Sequence, residues 1–206
     1  MKDKTVGSAG YHLKVYSLSN KTTKVTEKEL IRGCQEKDRK SQQRVYELYS
    51  PKMLGVCKRY MKDPMAAEDV LVEAFFKVFT KIDQYLGEGS FEGWIRRIVV
   101  NEALMHLRKR KPTEMTPEPL ESDAKTSLTA QDSLEASDIL SLLDQLPTGY
   151  RTIFNLYVIE GYKHREIAEK MNISINTSKS QLILAKKRMR ELIHQQNQVG
   201  RQRPAI

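Results

Sequence analysis

The sequence predicts an all-α protein made of two small helical domains joined by a flexible acidic linker. Apolar residues recur at steps of three and four in every long segment outside the middle of the chain, which is the period of amphipathic helices. The middle, residues 112–133, is rich in Pro, Ser and Thr and has no sustained apolar period. A length of 206 residues leaves room for two modest cores but not for a large enzyme fold.

Charge is distributed unevenly along the chain. The net charge is +9, whereas residues 113–144 contain eight acids and one lysine, a net of −7, so the rest of the chain carries +16. The cationic surface is therefore stronger than the total suggests, and it lies on both sides of the acidic segment. Such a surface predicts a nucleic-acid partner.

The remaining composition predicts boundaries and excludes several function classes. We expect a disordered basic tail at 1–24, domains at 25–111 and 134–193, the linker at 112–133 and a C-terminal tail at 194–206. No segment resembles a signal peptide or a membrane span, which predicts a cytoplasmic protein. The cysteines, Cys34 and Cys57, lack metal-ligand spacing, and the four histidines are scattered. These patterns predict no metal site, no cofactor and no catalytic centre, so we expect a protein that is not an enzyme.

The first helices of the N-terminal domain are predicted from their apolar residues. Leu30, Ile31 and Cys34 begin one helix, Val45, Leu48 and Tyr49 line a second that ends before Pro51, and a third runs over 53–61.

A long helix over 65–82 follows, with two contrasting faces. Its predicted buried stripe is Leu71, Phe75, Val78, Phe79 and Ile82. On the other face Asp69, Glu73, Phe76 and Thr80 fall together, so that two acids flank an aromatic ring that the core does not need. This face predicts contact with a basic, partly apolar protein partner. The alternative is an ordinary acidic face in contact with solvent.

The last helix of this domain, predicted over 91–110 after a loop at 86–90, carries an unusual polar stripe. At 100° per residue, Trp94, Arg97, Asn101, Met105 and Arg108 share one side. Trp and Arg offer flat surfaces to unstacked bases, and Asn offers a donor and an acceptor to a base edge. The stripe therefore predicts a site for single-stranded or flipped nucleotides, with a phosphate clamp at 108–111. The alternative is that Trp94 anchors the core of a helical bundle.

Residues 161–193 predict a helix-turn-helix that binds DNA. A short helix over 166–171 has a small residue, Ala168, where another helix packs closely, and it ends at Asn172, which tolerates the left-handed conformation. Ser174 is a good N-cap for a second helix over 175–193. The inward stripe of that helix is Leu182, Ala185, Met189, Leu192 and Ile193. The outward stripe, suited to the major groove, is Asn176, Lys179, Ser180, Ile183, Lys187 and Arg190. A basic face in contact with solvent is the alternative.

The ordered set of motifs resembles the sigma factors of bacterial RNA polymerase, in the extracytoplasmic function (ECF) group of the sigma-70 family, which keep only regions 2 and 4. The strings that carry the resemblance are AEDV at 67–70 with EAF at 73–75, SFEGWIRRI at 90–98, NEAL at 101–104 with LR at 107–108, LP at 146–147, and EIA at 166–168 with TSKS at 177–180. The resemblance covers residues 26–111 and 134–193. No single string is decisive, but this order at these separations is highly specific.

The resemblance implies a partner for each surface. It implies that Asp69, Glu73, Phe76 and Thr80 bind the clamp helices of the largest subunit of core RNA polymerase. The residues that it implies for binding and opening the −10 element of promoter DNA, with Asn101 and the loop at 87–90 holding a flipped base, are Gly87, Ser90, Trp94, Arg97, Asn101, Met105, Arg108 and Lys109. The outward stripe of the second helix would bind the −35 element. The resemblance leaves open whether an anti-sigma factor controls the protein.

Four positions depart from the family pattern, and other function classes stay open. Val72 replaces a usual Gln, His106 a usual acid, Lys163 a usual hydroxyl cap and Leu184 a frequent Arg. The second function class is a stand-alone regulator that binds duplex DNA through residues 161–193 and uses its N-terminal domain for dimerisation or sensing. The stripe that contains Asn101 favours the sigma factor, because such a regulator does not need a flipped-base surface. A nuclease is disfavoured because acids and histidines do not cluster.

Overall fold

A computed structural model of the chain describes residues 25–110 and 141–201, and these residues form helices without any strand. Besides a helical segment at 141–144, the helices are α1 (Glu27–Gln35), α2 (Arg39–Tyr60), α3 (Pro64–Thr80), α4 (Phe91–Arg110), α5 (Thr148–Phe154), α6 (His164–Met171) and α7 (Ile175–Arg201). A 3₁₀ turn (Ile82–Gln84) follows α3, and a π-helical turn (Asn155–Ile159) follows α5. The prediction of an all-α fold is confirmed. The predicted tail at 1–24 and the linker at 112–133 lie outside the described residues.

Short polar side chains fix where the first helices begin. Thr26 and Glu29 form a reciprocal cap at α1, in which the Thr26 amide donates to the Glu29 carboxylate at 2.7 Å and the Glu29 amide donates to the Thr26 hydroxyl at 3.3 Å. Asp38 accepts from the amide of Ser41 at 2.8 Å and begins α2. Asp63 caps α3, whose first residue is Pro64.

Helix α2 continues through Pro51, so the predicted break into two helices is wrong. A proline inside a helix costs about 3 kcal/mol because it removes one backbone hydrogen bond and crowds the preceding turn. Pro51 lies on the exposed side of this 22-residue helix. The buried side is lined by Val45, Met53, Val56, Cys57 and Tyr60. Each fully buried apolar side chain contributes roughly 1.5 to 3 kcal/mol, so their sum exceeds the cost of the proline. Leu48, predicted to line this core, is instead 46% exposed.

The N-terminal core forms where α2, α3 and α4 meet. The predicted stripe of α3 is confirmed for Leu71, Phe75 and Val78, while Phe79 is half-buried and Ile82 is buried just beyond the helix. From α4, the buried apolar residues are Phe91, Ile95, Val99, Val100, Ala103 and Leu104. Nearly one whole side of α4 is therefore fixed against α2 and α3.

The C-terminal helices contribute to two apolar clusters. One is local and contains Leu142, Leu143 and Leu146 against Met189 and Leu192 of α7. The other is continuous with the N-terminal core and includes Ile153, Leu156, Ile167, Met171 and Leu182. The two helical domains thus share buried apolar surface in this arrangement.

The turn between α6 and α7 has the predicted geometry. Asn172 adopts the left-handed conformation with φ 54° and ψ 49°, and the amide of Ile173 donates to the carbonyl of Ala168 at 3.0 Å. Ser174 accepts from the amide of Thr177 at 2.9 Å and caps α7. Helix α7 runs to Arg201, beyond the predicted end at residue 193. Lys163 precedes α6 and has no hydroxyl group with which to cap that helix. The backbone amide of Lys163 instead donates to the Glu166 carboxylate at 2.7 Å.

The left-handed turn gives a test of this geometry. We expect Asn172→Val to lower the free energy of unfolding by about 1 to 2 kcal/mol, because a β-branched residue is strained at positive φ. Asn172→Gly should stay within a few tenths of a kcal/mol of the parent, since glycine adopts this conformation without strain. Urea unfolding of the full chain, followed by circular dichroism, measures both. Equal losses in the two variants would contradict a left-handed residue at this position.

Candidate nucleic-acid and protein interfaces

The outer face of α3 is exposed, acidic and partly apolar. Asp69 and Glu73 are exposed, and Phe76 is 69% exposed. Thr80 shares this face, but its hydroxyl donates to the carbonyl of Phe76 at 2.9 Å and is used within the helix. Two exposed apolar residues, Met65 and Val72, extend the surface. The sequence analysis noted Val72 only as a departure from the family pattern and did not select Met65. Met65 lies one helical turn before Asp69, and Val72 lies one turn before Phe76.

The loop before α4 is held by a few specific contacts. Gly87 and Gly89 have φ values of 79° and 76°, which favour glycine. The hydroxyl of Ser90 accepts from the amide of Gly93 at 3.1 Å and so caps α4. The hydroxyl of Tyr85, which sequence reasoning did not select, donates to the carbonyl of Gly89 at 2.9 Å. Ser90 therefore has a structural role as the cap of α4.

Trp94 is half-buried. The ring lies 5.8 Å from that of Phe91 at an interplanar angle of 12°, and 5.6 Å from that of Tyr85. Tyr85, which precedes α4, and Phe91, its first residue, together supply an aromatic surface against the Trp94 ring. Trp94 thus belongs in part to the core, as the alternative interpretation had it, and in part to the stripe.

The rest of the predicted stripe lies on one exposed side of α4. Arg97, Asn101, Met105, Arg108 and Lys109 are all exposed. Asn101 and Arg108 also contact α6, and both do so at Lys170. The Lys170 ammonium donates to the Asn101 side-chain oxygen at 2.9 Å, and the Arg108 guanidinium donates to the Lys170 carbonyl at 2.6 Å. The helix-turn-helix therefore rests on the stripe.

A buried carboxylate, Glu160, joins the two domains and was not predicted. Its side chain is only 4% exposed and meets Arg59 of α2 and Arg96 of α4, each at 2.8 Å. Its partners are 101 and 64 residues away in the sequence, so no local pattern could have identified the contact.

Two further polar groups cross the same boundary between the domains. The side-chain amide of Asn155 donates to the carbonyl of Arg59 at 2.7 Å. The guanidinium of Arg151, whose side chain is 2% exposed, donates to the carbonyl of Tyr60 at 3.0 Å and to Asp144 at 3.1 Å. Burial raises the pKa of the Tyr60 hydroxyl well above its ordinary value, so this hydroxyl stays protonated.

The outward face of α7 carries the predicted stripe. Asn176, Lys179 and Lys187 are exposed, and Ile183 is 67% exposed. Two members are less accessible, since Ser180 and Arg190 are half-buried. The Ser180 hydroxyl donates to the carbonyl of Thr177 at 3.1 Å.

His164 ties α6 to α7 and was missed because the histidines are scattered in the sequence. Its Nδ1 lies 2.9 Å from the hydroxyl of the buried Ser178, and its ring stacks on Tyr157 with centroids 4.5 Å apart. Burial, together with Lys179 and Lys186, lowers the pKa of His164. The ring is therefore neutral at neutral pH, and it adds no cation to the face of α7.

The cysteines behave as small apolar residues, as interpreted from the sequence. Both are buried, and burial raises the pKa of Cys34 to about 11 and that of Cys57 to about 12. Within 25–110 and 141–201, no group of His, Cys, Asp and Glu is arranged to hold a metal ion. In the same part of the chain, no helix combines the length and apolar character needed to cross a membrane.

Two family models match the chain, one in each domain. The model of sigma-70 region 2 matches residues 45–113, and the model of sigma-70 region 4 matches residues 136–189. The first match contains α3 and the stripe of α4, and the second contains the helix-turn-helix. The order of the two matches is that of the resemblance noted in the sequence.

Curated relatives match along most of their length. The RNA polymerase sigma-H factor of Pseudomonas aeruginosa is 28% identical over 180 residues, which cover 80% of this chain and 92% of the relative. The ECF RNA polymerase sigma-E factor of Haemophilus influenzae is 29% identical over 175 residues, covering 79% of this chain and 92% of the relative. The ECF RNA polymerase sigma factor SigW of Bacillus subtilis is 24% identical over 160 residues, covering 71% and 86%.

Solved structures that match the chain include two complexes. The sigma factor RpoE in complex with the anti-sigma factor NepR from Bartonella quintana has a TM-score of 0.48 and 22% identity, covering 74% of this chain and 96% of that one. CnrH in complex with the cytosolic domain of CnrY has a TM-score of 0.46 and 16% identity, covering 80% and 95%.

Proposed function

The chain belongs to the ECF group of the sigma-70 family and acts in promoter-directed transcription initiation, and from this premise we propose how its surfaces divide that work. The outer face of α3 binds core RNA polymerase, the stripe of α4 binds and opens the −10 element, and α7 binds the −35 element. The chain contributes recognition, and the polymerase contributes the chemistry. It acts in the cytoplasm, where the polymerase and promoters are found.

The observation that carries the proposal is that α4 and α7 have exposed polar faces of different composition. Helix α7 has the exposed polar face of a major-groove helix. Helix α4 instead groups Arg97 and Asn101 beside the half-buried Trp94, which suits bases that have left the duplex. Transcription of genomic fragments by the purified chain with core polymerase, with start sites mapped, tests the proposal. If the chain bound duplex DNA alone but directed no transcription with core, the stand-alone regulator would be favoured.

The α3 face suits a protein partner because it combines exposed apolar area with negative charge. Phe76 and Val72 are more than half exposed, and Asp69 and Glu73 are exposed on the same side. An aromatic residue that is buried on binding supplies most of the affinity of such a contact, while the flanking charges determine orientation and partner choice.

We expect Asp69→Lys with Glu73→Lys to weaken core binding by at least about 100-fold, since like charges placed against a basic clamp cost several kcal/mol. The fold should persist because both residues are exposed. A core-binding titration with labelled protein measures the effect, and circular dichroism monitors the fold. Glu36→Lys with Glu47→Lys is the matched control, because it reverses two exposed acids that lie at the end of α1 and on α2 rather than on α3. Equal affinities of the two double variants would show that α3 is not the docking surface.

The proposed −10 site is the exposed part of the α4 stripe with the loop before it. Asn101 supplies a paired donor and acceptor, and Arg97 and Arg108 supply cations on the same side. The loop at 87–90 is exposed and lies at the start of α4, where a flipped base would leave the stack.

We expect Asn101→Ala to leave closed-complex formation nearly unchanged and to lower the open-complex population about tenfold. One paired contact to a base edge is worth roughly 1 to 3 kcal/mol, and the base is accessible only after unstacking. A template mismatched across the −10 element should recover part of the loss. Permanganate footprinting on paired and mismatched templates measures both.

Lys170→Ala is the matched control, because it removes the partner of Asn101 on α6 without removing the proposed base contact. If Asn101 only held the helix-turn-helix in place, the two variants would open promoters equally well. That result would place the flipped-base pocket elsewhere.

The proposed −35 site is the outward face of α7. Asn176, Lys179, Ser180 and Ile183 lie in its first three turns, where recognition helices contact base edges. Lys187 and Arg190 lie further along, where cations contact phosphates.

We expect Lys179→Ala to reduce discrimination between −35 sequences and Lys187→Ala to weaken binding to all promoters alike. Base contacts carry sequence preference, whereas a phosphate contact mainly adds about 0.9 to the slope of log affinity against log salt. Holoenzyme binding to consensus and mutated −35 fragments over a salt series separates the two effects. If both variants changed only the salt slope, α7 would be a phosphate anchor.

A further inference from the structure

Two arginines from different helices converge on one anion position. The Arg59 Nη2 and Arg96 Nε atoms each lie 2.8 Å from a separate oxygen of the Glu160 carboxylate. The side chains of Arg59 and Arg96 are 14% and 37% exposed, so Arg59 is largely covered and Arg96 is partly accessible to solvent. The helices that carry both arginines are fixed by the N-terminal core, whereas Glu160 comes from the other domain.

The same pair of donors suits a phosphate. A guanidinium presents its N–H groups in a plane that matches carboxylate and phosphate oxygens alike, which is why arginine binds both. The exposed neighbours Lys58 and Arg97 have the same sign of charge. Removing Glu160 would therefore leave a cationic position on the N-terminal domain, next to the stripe of α4.

The domain contact that places Glu160 here is incompatible with binding both promoter elements. Elements centred near −35 and −10 are about 25 base pairs apart, or roughly 85 Å at 3.4 Å per base pair. In this arrangement Lys170 of the helix-turn-helix lies 2.9 Å from Asn101 of the −10 stripe. Helix α7, with 27 residues, extends only about 40 Å at 1.5 Å per residue. The domains must separate on the promoter, and Arg59 and Arg96 then lose their carboxylate.

We propose that Arg59 and Arg96 form a phosphate site for the promoter strand that the α4 stripe binds, and that Glu160 occupies this site as an internal substitute while the domains are packed together. This inference rests on the proposed function. A buried ion pair adds little net stability, because desolvation offsets much of its attraction. Exchange of carboxylate for phosphate keeps both arginines paired and makes the domain contact and the DNA contact mutually exclusive.

The test compares variants in holoenzyme made from the full chain and core polymerase. The probe is a duplex promoter fragment chosen by mapping start sites on genomic DNA. Because Arg59→Ala and Arg96→Ala alone would leave Glu160 buried without a partner, the comparison is between Glu160→Ala and the triple variant with all three substitutions. We expect the triple variant to bind about tenfold or more weakly, with a salt slope shallower by about 0.9 for one duplex phosphate or about 0.7 on a single strand.

The control adds Arg44→Ala and Lys52→Ala to Glu160→Ala, which removes two exposed, ion-paired cations from α2. Its slope should match that of Glu160→Ala. Equal slopes for Glu160→Ala and the triple variant would overturn the phosphate site and leave the arginines as domain contacts only. Loss of core affinity without a slope change would overturn it in favour of a protein contact.

Promoter binding by the wild-type holoenzyme and circular dichroism of the triple variant separate failure of this site from failure of the proposed function or of folding. Failure of the wild-type holoenzyme to form or to bind any promoter would count against the proposed function, not against this site. If the alanine triple lost its helical circular dichroism, the comparison would be made between Glu160→Gln and the triple glutamine variant, whose amides preserve volume and hydrogen bonding. An unchanged slope in that pair would also overturn the proposal.

Discussion

Helix α4 has one side in the N-terminal core and the other side exposed, and the rest of the structure depends on this division. One side is fixed in the N-terminal core through Ile95, Val99 and Ala103, which are fully buried. The other side carries exposed polar groups, including Asn101. A polar stripe keeps a defined geometry only when its helix is held rigidly from behind, because each loose degree of freedom weakens directional contacts to a base. The core formed with α2 and α3 therefore determines the precision of the proposed −10 site.

The polar side of α4 also determines how the second domain packs. Glu160, Asn155 and Arg151 meet the C-terminal end of α2, Glu160 also meets Arg96 in the second turn of α4, and Lys170 meets the stripe itself. Charged and hydrogen-bonded contacts of this kind fix one relative orientation, but burial of their polar groups limits the net stabilisation. The apolar residues shared between the domains, such as Ile153 and Leu156, supply the rest. The arrangement is thus specific and still open to exchange with a charged ligand.

Much of the local structure followed from the sequence, because its causes lie within a few residues. The left-handed Asn172, the Ser174 cap and the buried face of α3 were predicted from neighbouring residues and are present. The exposed face of α3 also has the predicted members, and that of α7 has them apart from the half-buried Ser180 and Arg190, since helical periodicity determines which residues share a side. The resemblance to region 2 and region 4 was equally visible, because it depends on strings and their order.

Packing between residues far apart in the sequence decided the parts of the structure that neighbouring residues did not predict. Helix α2 continues through Pro51 because burial on its opposite face outweighs one lost hydrogen bond. Trp94 is half-buried because Tyr85 and Phe91 reach it from the start of the helix. The sequence by itself determined most of the helices, the turn at Asn172, the cap at Ser174 and the exposed acidic face of α3. Only the tertiary structure decided that Glu160 would meet Arg59 and Arg96, because contacts between residues far apart in the chain depend on how whole helices pack.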